Sequence, residues 1–240
     1  RTVKGGSREY VSQITARLKD KIETKTKINS VKRDAGGVIV NVEGQGDIWY
    51  DKVIMAAHAD ESLKLIADAS EQERIILKAF RFSKNRVILH SDDRLMPKRK
   101  RAWAAWNYLS DDQDNLCATY WMNRLQHIDM STPLFTTLNP TVEPHDALVH
   151  ADLVYHHPIF DKQSLLAQQQ LYGIQGQNDI FWCGAWTANG FHEDGLKSAV
   201  AIAKTLNISI PWDSPTKGYR KNQTKTALPM NDAAGLLHDK

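Results

Sequence analysis

The residues best suited to chemistry stand in one stretch, FWCGAWTANGFHEDGLKSAVAIA, residues 181–203. A short apolar strand ending at Cys183 passes through Gly184, and glycines recur at 190 and 195 before an apolar helical rhythm begins. Glycine lacks a Cβ, so a group can approach its backbone closely. A helix opening at Asp194 would aim unpaired N–H groups and a partial positive charge at whatever lies before it. That suits a phosphate, or an aromatic heterocycle that gains negative charge on reduction; the alternative is a plain strand, loop and helix connection.

Other constellations are weaker. His145, His150, His156 and His157 with Asp146 and Asp152 have metal-like composition, but no spacing matches a tight ligand motif such as HExxH, so no metal site is expected. The run Lys98–Arg101 could touch phosphates, yet it is short and leads into an apolar strand, so a solvated loop is expected and no nucleic-acid partner. No GxSxG elbow is present. Gly5-Gly6-Ser7 opens a helix and could present amides to an anion or simply turn the chain.

The elements that must position these residues follow from pattern. Ser7 is expected to cap an amphipathic helix over 7–19, with Tyr10, Val11, Ile14 and Leu18 at helical spacing. Runs at 21–33, 38–43 and 47–56, separated by glycines, predict a β-meander. Its last portion, VIMAA, is apolar throughout and predicts a strand covered on both faces. A short helix from Asp60 precedes one from Ser70, where Ser70 and Glu73 form a capping box. Strand-like runs RVILHS, AWAAWNYL, CATYWMN and LFTTLN follow. Trp106 and Tyr108 share a face, Trp121 opposes Tyr120, and these aromatics either floor a cavity or form a sheet core. A helix over 161–173 closed by Gly173, a strand over 179–183 and the helix 194–206 complete the pattern. A polar tail spans 211–240.

At 240 residues, 42% hydrophobic and 25% charged, the chain can bury a sizeable core as one large or two small domains. A net charge of +3 implies no polyanionic partner. Cys117 and Cys183 are distant and form no CxxC pair, so both are expected to pack as small hydrophobes. No apolar run could span a bilayer and no secretory signal opens the chain, which predicts a soluble, cytoplasmic protein. Because Arg1 is not a methionine and the first residues read as interior sequence, a fragment or processed product is expected.

Together, TVKGGSREYVSQITARL, KIETKTKINSVKRDAGGVIVNVEGQGDIWYDKVIMAAHADESLKLI and FWCGAWTANGFHEDGLKSAVAIA resemble the carboxy-terminal portion of flavin-dependent amine oxidases and their protoporphyrinogen oxidase and carotenoid desaturase relatives. Within these the chain is most similar to a bacterial group of NAD/FAD-binding oxidoreductases. The resemblance covers most of residues 1–212. It implies a mixed α/β (α+β) chain: part of an FAD-binding Rossmann-like domain at 1–60, an antiparallel-sheet substrate domain at 61–175, and a terminal FAD-binding strand, loop and helix at 176–210.

The resemblance also implies roles. The backbone of Val31 would meet the adenine, with Ala57 and His58 near the cofactor. Gly184 and Ala185 would approach the ribityl and pyrophosphate portion. Trp186 and the loop of Gly190, Phe191, His192, Glu193, Asp194 and Gly195 would border the isoalloxazine, and the N–H of Leu196 would face its N1 and O2 edge. Trp106, Tyr108, Tyr120 and Trp121 would line the substrate pocket, with His58 and His192 as titratable candidates for proton transfer. The partner implied is a small or lipid-like molecule, with a homo-oligomer open. The family's GxGxxG and its ribose-binding acid do not stand in these 240 residues, and neither the active-site lysine nor the aromatic cage of monoamine oxidases has a counterpart. The competing expectation is a noncatalytic fragment or interaction module that pairs through exposed sheet edges.

Overall fold

The computed structural model describes residues 2–110 and 116–212. Its elements, in chain order, are α1 (Arg8–Ala16), β1 (Ile28–Asp34), β2 (Gly37–Val42), β3 (Gly46–Tyr50), β4 (Val53–Met55), α2 (Ala59–Leu65), α3 (Glu71–Lys78), β5 (Arg81–His90), β6 (Trp106–Ser110), β7 (Leu116–Trp121), α4 (Met122–Gln126), β8 (Phe135–Leu138), β9 (Val149–Ile159), α5 (Lys162–Gln170), β10 (Ile180–Trp182) and α6 (His192–Thr205). The expected tail lies outside the described residues apart from Pro211 and Trp212.

Three sheets result. The antiparallel meander β1-β2-β3 forms as expected, β4 pairs in parallel with β10, and a five-stranded antiparallel sheet runs β6-β7-β8-β5-β9. The main core joins the meander to α2, α3, α5 and β10, with Val38, Ile76, Leu77, Ile174 and Trp182 fully buried. The capping box stands as predicted: Ser70 Oγ accepts from the Glu73 N–H, and the Glu73 carboxylate accepts from the Ser70 N–H. Glu73 also binds the Arg33 guanidinium, which reaches Asp68 as well, so a buried carboxylate has its cation and β1 is tied to the start of α3.

Several expectations change. The first helix is shorter than 7–19, Ser7 accepts no capping bond, and none of α1's residues is buried. Residues 21–27 are not strand; Lys19–Lys21 form a 3-10 turn and pairing starts at Ile28. The run 47–56 splits at Asp51-Lys52, because β3 stays with the meander while β4 crosses to a different sheet. Ile54 of β4 is 49% exposed, against the expectation of two covered faces. The aromatic run at 102–109 becomes strand only from Trp106, and β7 yields at Met122 to the short α4. Gly173 lies inside a 3-10 turn, Leu171–Ile174, rather than closing α5.

In the sequence, strand β9 shows only scattered histidines. It pairs with β5 along nearly its whole length, from Arg81↔Ile159 to His90↔Val149. Its side chains are largely exposed, which removed the apolar alternation that marks a strand.

One face of the large sheet buries a polar chain. The Asp92 N–H donates to His90 Nδ1 at 3.2 Å, so Nε2 carries the ring proton toward Thr137 Oγ1 at 2.7 Å, and Thr137 meets Thr119 at 2.8 Å. Burial pushes the His90 imidazole down, with the Asp92 charge offsetting part of that. The unfolded imidazole takes its proton near about pH 6.5, before the folded one does. Stability from this group is therefore complete above about pH 6.5 and falls as the pH drops toward the lower folded value. Urea midpoints followed from neutral to mildly acid pH should show that fall, and His90→Gln should flatten it; an unchanged slope contradicts the assignment.

Candidate functional site

Strand β10 is buried at all three positions and sets Ile180, Phe181 and Trp182 against Val53, Ile54 and Met55 of β4. The Cys183 N–H continues the ladder to the Met55 carbonyl at 3.0 Å. Gln175 closes β10's other edge like a surrogate strand: its Nε2 donates to the Trp182 carbonyl at 2.7 Å and its Oε1 accepts the Trp182 N–H at 3.0 Å. Both cysteines are buried and free, and burial pushes the Cys183 thiol up.

The chain then turns at Gly184, φ 148° and ψ 165°, a conformation open essentially to glycine alone. The room left by its absent Cβ is taken by the chain itself, since a methyl there would lie 2.6 Å from Trp186 Nε1. A methyl at Gly190, φ 86°, would sit 3.1 Å from the Phe160 ring. Both glycines therefore let the loop fold tightly onto its own neighbours.

Polar clamps hold that loop. Trp186 Nε1 donates to the Ala57 carbonyl at 3.1 Å, joining the turn to the end of β4. Gln168 Nε2 of α5 donates to the carbonyls of Trp186 at 3.0 Å and Ala188 at 2.6 Å. The Asp194 carboxylate accepts the N–H groups of Asn189 at 3.2 Å and Phe191 at 3.0 Å. Ser198 Oγ accepts the Gly184 N–H at 3.0 Å and donates to the Gly195 carbonyl at 2.7 Å. Gln168, Gln175 and Ser198 carry no motif, and sequence reasoning missed them; helical spacing from Asp194 to Ser198 was the one available signal.

The structure sorts the expected site residues. Ala57 and His58 end the β4 segment beside the turn; His58 stacks on Phe82 with ring centroids 4.2 Å apart. Gly184, Ala185, Gly190, Phe191, His192, Glu193, Asp194 and Gly195 form the loop and the first turn of α6, with Phe191, His192 and Glu193 exposed. Trp186 is 3% exposed and packs edge-on against Phe80, so it pins the core instead of presenting its ring. Because α6 begins at His192 and not Asp194, Leu196 lies within the helical ladder, and the open N–H groups are those of His192 and Glu193. The Val31 carbonyl accepts the Ala67 N–H at 2.9 Å. Val31 does line a cleft of about 530 Å³ between the meander and β4, together with Ile28, Val40, Val42 and Ile54.

Trp106, Tyr108 and Tyr120 converge on one face of the large sheet, with Trp106 stacked on Tyr120 at 5.7 Å and beside Tyr108 at 4.8 Å. Trp121 is separated from them by strand alternation and packs edge-on against Trp103 on the opposite face. Among the described residues, no three His, Cys, Asp or Glu side chains gather as a metal site requires, and no helix is long and apolar enough to cross a membrane.

The parallel β4–β10 pair thus leads through the glycine turn into α6. Residues 1–88 match the family described as flavin containing amine oxidoreductase, the resemblance read from the sequence. The fold is similar to a CLA-producing fatty acid isomerase from P. acnes, with TM-score 0.62 and 13% identity over 85% of this chain and 52% of that one. It is similar to putrescine oxidase bound to putrescine, with TM-score 0.57, 11% identity and coverage of 85% and 53%. Cyclohexylamine oxidase from Brevibacterium oxydans IH-35A gives 0.54, 10%, 84% and 53%. The chain thus spans about half the length of the structures it matches. No curated protein sequence matches it.

Replacing Gly184 with alanine should cost about 1–3 kcal/mol, the usual range for one strained backbone position. Chemical denaturation with tryptophan fluorescence measures it; an unchanged midpoint would show that the turn does not require glycine.

Proposed function

We propose that the whole protein is an FAD-dependent oxidoreductase that moves a hydride between the flavin and a small apolar, lipid-like or amine substrate. The observation that carries this reading is the joining of the Ala57-His58 end of β4 to the glycine turn before α6, in a chain whose first 88 residues match a flavin-containing family. The relatives named above act on a fatty acid in one case and on amines in others, which brackets the substrate class.

The residues fit such a group in one specific way. The open N–H groups of His192 and Glu193 would lie at its negatively charging edge, where the positive end of α6 favours added charge. Ala57, Gly184 and Ala185 would offer backbone along the chain linking ring to pyrophosphate, with Gly190 to Gly195 beside the ring. FAD, when bound, supplies the hydride acceptor. Asp194, Gln168 and Ser198 keep the loop in one shape, so little ordering remains to be done on binding. His58, held against Phe82, and exposed His192 are the proton-handling candidates.

A second reading rests on β4. Its one strand partner among the described residues is β10, its far edge borders the cleft, which Lys21, Glu23 and Lys52 also line, and Ile54 is exposed there. By itself the 240-residue chain would then act as an interaction module that takes another strand at this edge.

Full-length protein purified without added cofactor should show flavin absorbance and release FAD on denaturation; a colourless protein indifferent to FAD overturns the oxidoreductase reading. Light scattering with FAD titration of the 240-residue chain separates the second reading, which a monomer binding FAD stoichiometrically contradicts.

A further inference from the structure

Strand β9 is an outer strand of the five-stranded sheet, and among the described residues only its β5 edge is paired. Arg86 of β5 fixes which of its backbone groups face outward. The Arg86 N–H donates to Asn139 Oδ1 at 3.1 Å and the Arg86 carbonyl accepts the Asn139 N–H at 2.9 Å, so both groups turn from β9 toward the residue that follows β8. In an antiparallel ladder two facing residues exchange both backbone bonds or neither. Arg86 stands opposite Val154, so the Val154 N–H and carbonyl point away from β5, to the free edge. The period of two extends this to Asp152, His156 and Pro158. Between them, the His157 carbonyl faces β5, where it accepts from Ser83 Oγ at 3.3 Å. Pro158, which has no N–H, stands where the missing donor costs the sheet no bond.

Among the described residues the outward backbone groups of Asp152, Val154 and His156 meet no partner, and Leu153, Val154 and Tyr155 are each close to half exposed. An edge of eleven residues is a template for another strand. The sequence of β9 itself answers which strand. Two copies can pair antiparallel about a twofold axis only in registers that set outward groups against outward groups. Centred on Val154, Asp152 meets the partner's His156 on both sides of the axis, Leu153 meets Tyr155, and Val154 meets its own counterpart. Centred on Asp152, the register opposes two aspartates; centred on Leu153, it sets His150 against His156. Centred on Tyr155, it sets Asp152 against Pro158, which has nothing to donate, and centred on His156 it opposes two histidines. The Val154 register alone sets a carboxylate against a side-chain donor and an aliphatic residue against an aromatic one, with no like charges opposed.

We propose that two copies of this chain pair β9 to β9 in that register, joining the five strands of each into one continuous sheet. Val154 exchanges both backbone bonds with its counterpart, and Asp152 and His156 exchange theirs, giving about six bonds across the axis. Arg86 holds the Asp152 carboxylate through Nε at 3.0 Å and Nη2 at 2.7 Å, so the charge that would otherwise guard this edge is balanced from within the copy that carries it. So narrow a contact gives a pair that dissociates on dilution. The pairing goes beyond the proposed function and needs no flavin.

Sedimentation velocity of the 240-residue chain over rising concentration, with amide-exchange NMR on the same samples, tests it. Monomer should pass to dimer as the Asp152, Val154 and His156 amides gain protection. Val154→Pro removes the central outward donor and leaves the β5 bonds in place, as Pro158 does, so it should weaken the dimer by about tenfold or more with the circular dichroism unchanged. His156→Asp, which opposes two carboxylates, should weaken it by about as much, whereas His156→Lys should leave it at least as tight. A chain that is monomeric at every concentration, or equal effects of the two His156 variants, overturns the proposal. So does a dimer unmoved by Val154→Pro, which would put the contact at the β4 edge or elsewhere, or protection of the Val154 amide that does not change with concentration, which would mean that the chain covers this edge itself.

Discussion

The site depends on one long-range constraint, the parallel pairing of β4 with β10. Only three residues pair on each side, yet they join parts of the chain separated by more than half its length. Pairing so short cannot hold by backbone bonds alone. Burial of Met55 and Ile180 contributes about 2 kcal/mol each, and the Trp186 indole and the Lys52–Asp179 ion pair fasten the two ends. Without that pairing, the Ala57-His58 segment and the glycine turn would have no fixed relation.

Downstream of this constraint, the loop owes its shape mainly to its own interior contacts. Gly184 makes room for Trp186 and Gly190 for Phe160, while Asp194, Gln168 and Ser198 satisfy backbone groups that a tight turn leaves over. The first N–H groups of α6 are left facing outward, as a helix start must leave them unless something caps them. Rigidity and unsatisfied donors at one place are what an anion-stabilising wall requires.

Legibility followed how local each interaction is. The Ser70–Glu73 box, the meander and the strand, turn and helix at 181–203 were readable because each is decided within a few residues. The split at Asp51-Lys52 was not, since neighbouring strands joining different sheets leaves no local mark. Nor was β9, whose exposed side chains erase the alternation. The start of α6 fell two residues early, moving the open donors from Leu196 to His192 and Glu193. Trp121 was placed on the opposite face from Tyr120 by strand period alone, but its packing partner Trp103 came from outside the strand. The roles of Gln168 and Gln175 depend on side-chain bonds to backbone 7 to 20 residues away and could not be read from spacing.

The central claim is that the β4 end and the turn before α6 form one wall of a flavin site. Hydrogen–deuterium exchange on the full-length protein with and without FAD tests it most directly. The account predicts new protection at residues 57–58 and 184–195, strongest at the His192 and Glu193 amides. Protection absent from both segments while FAD is bound would contradict it.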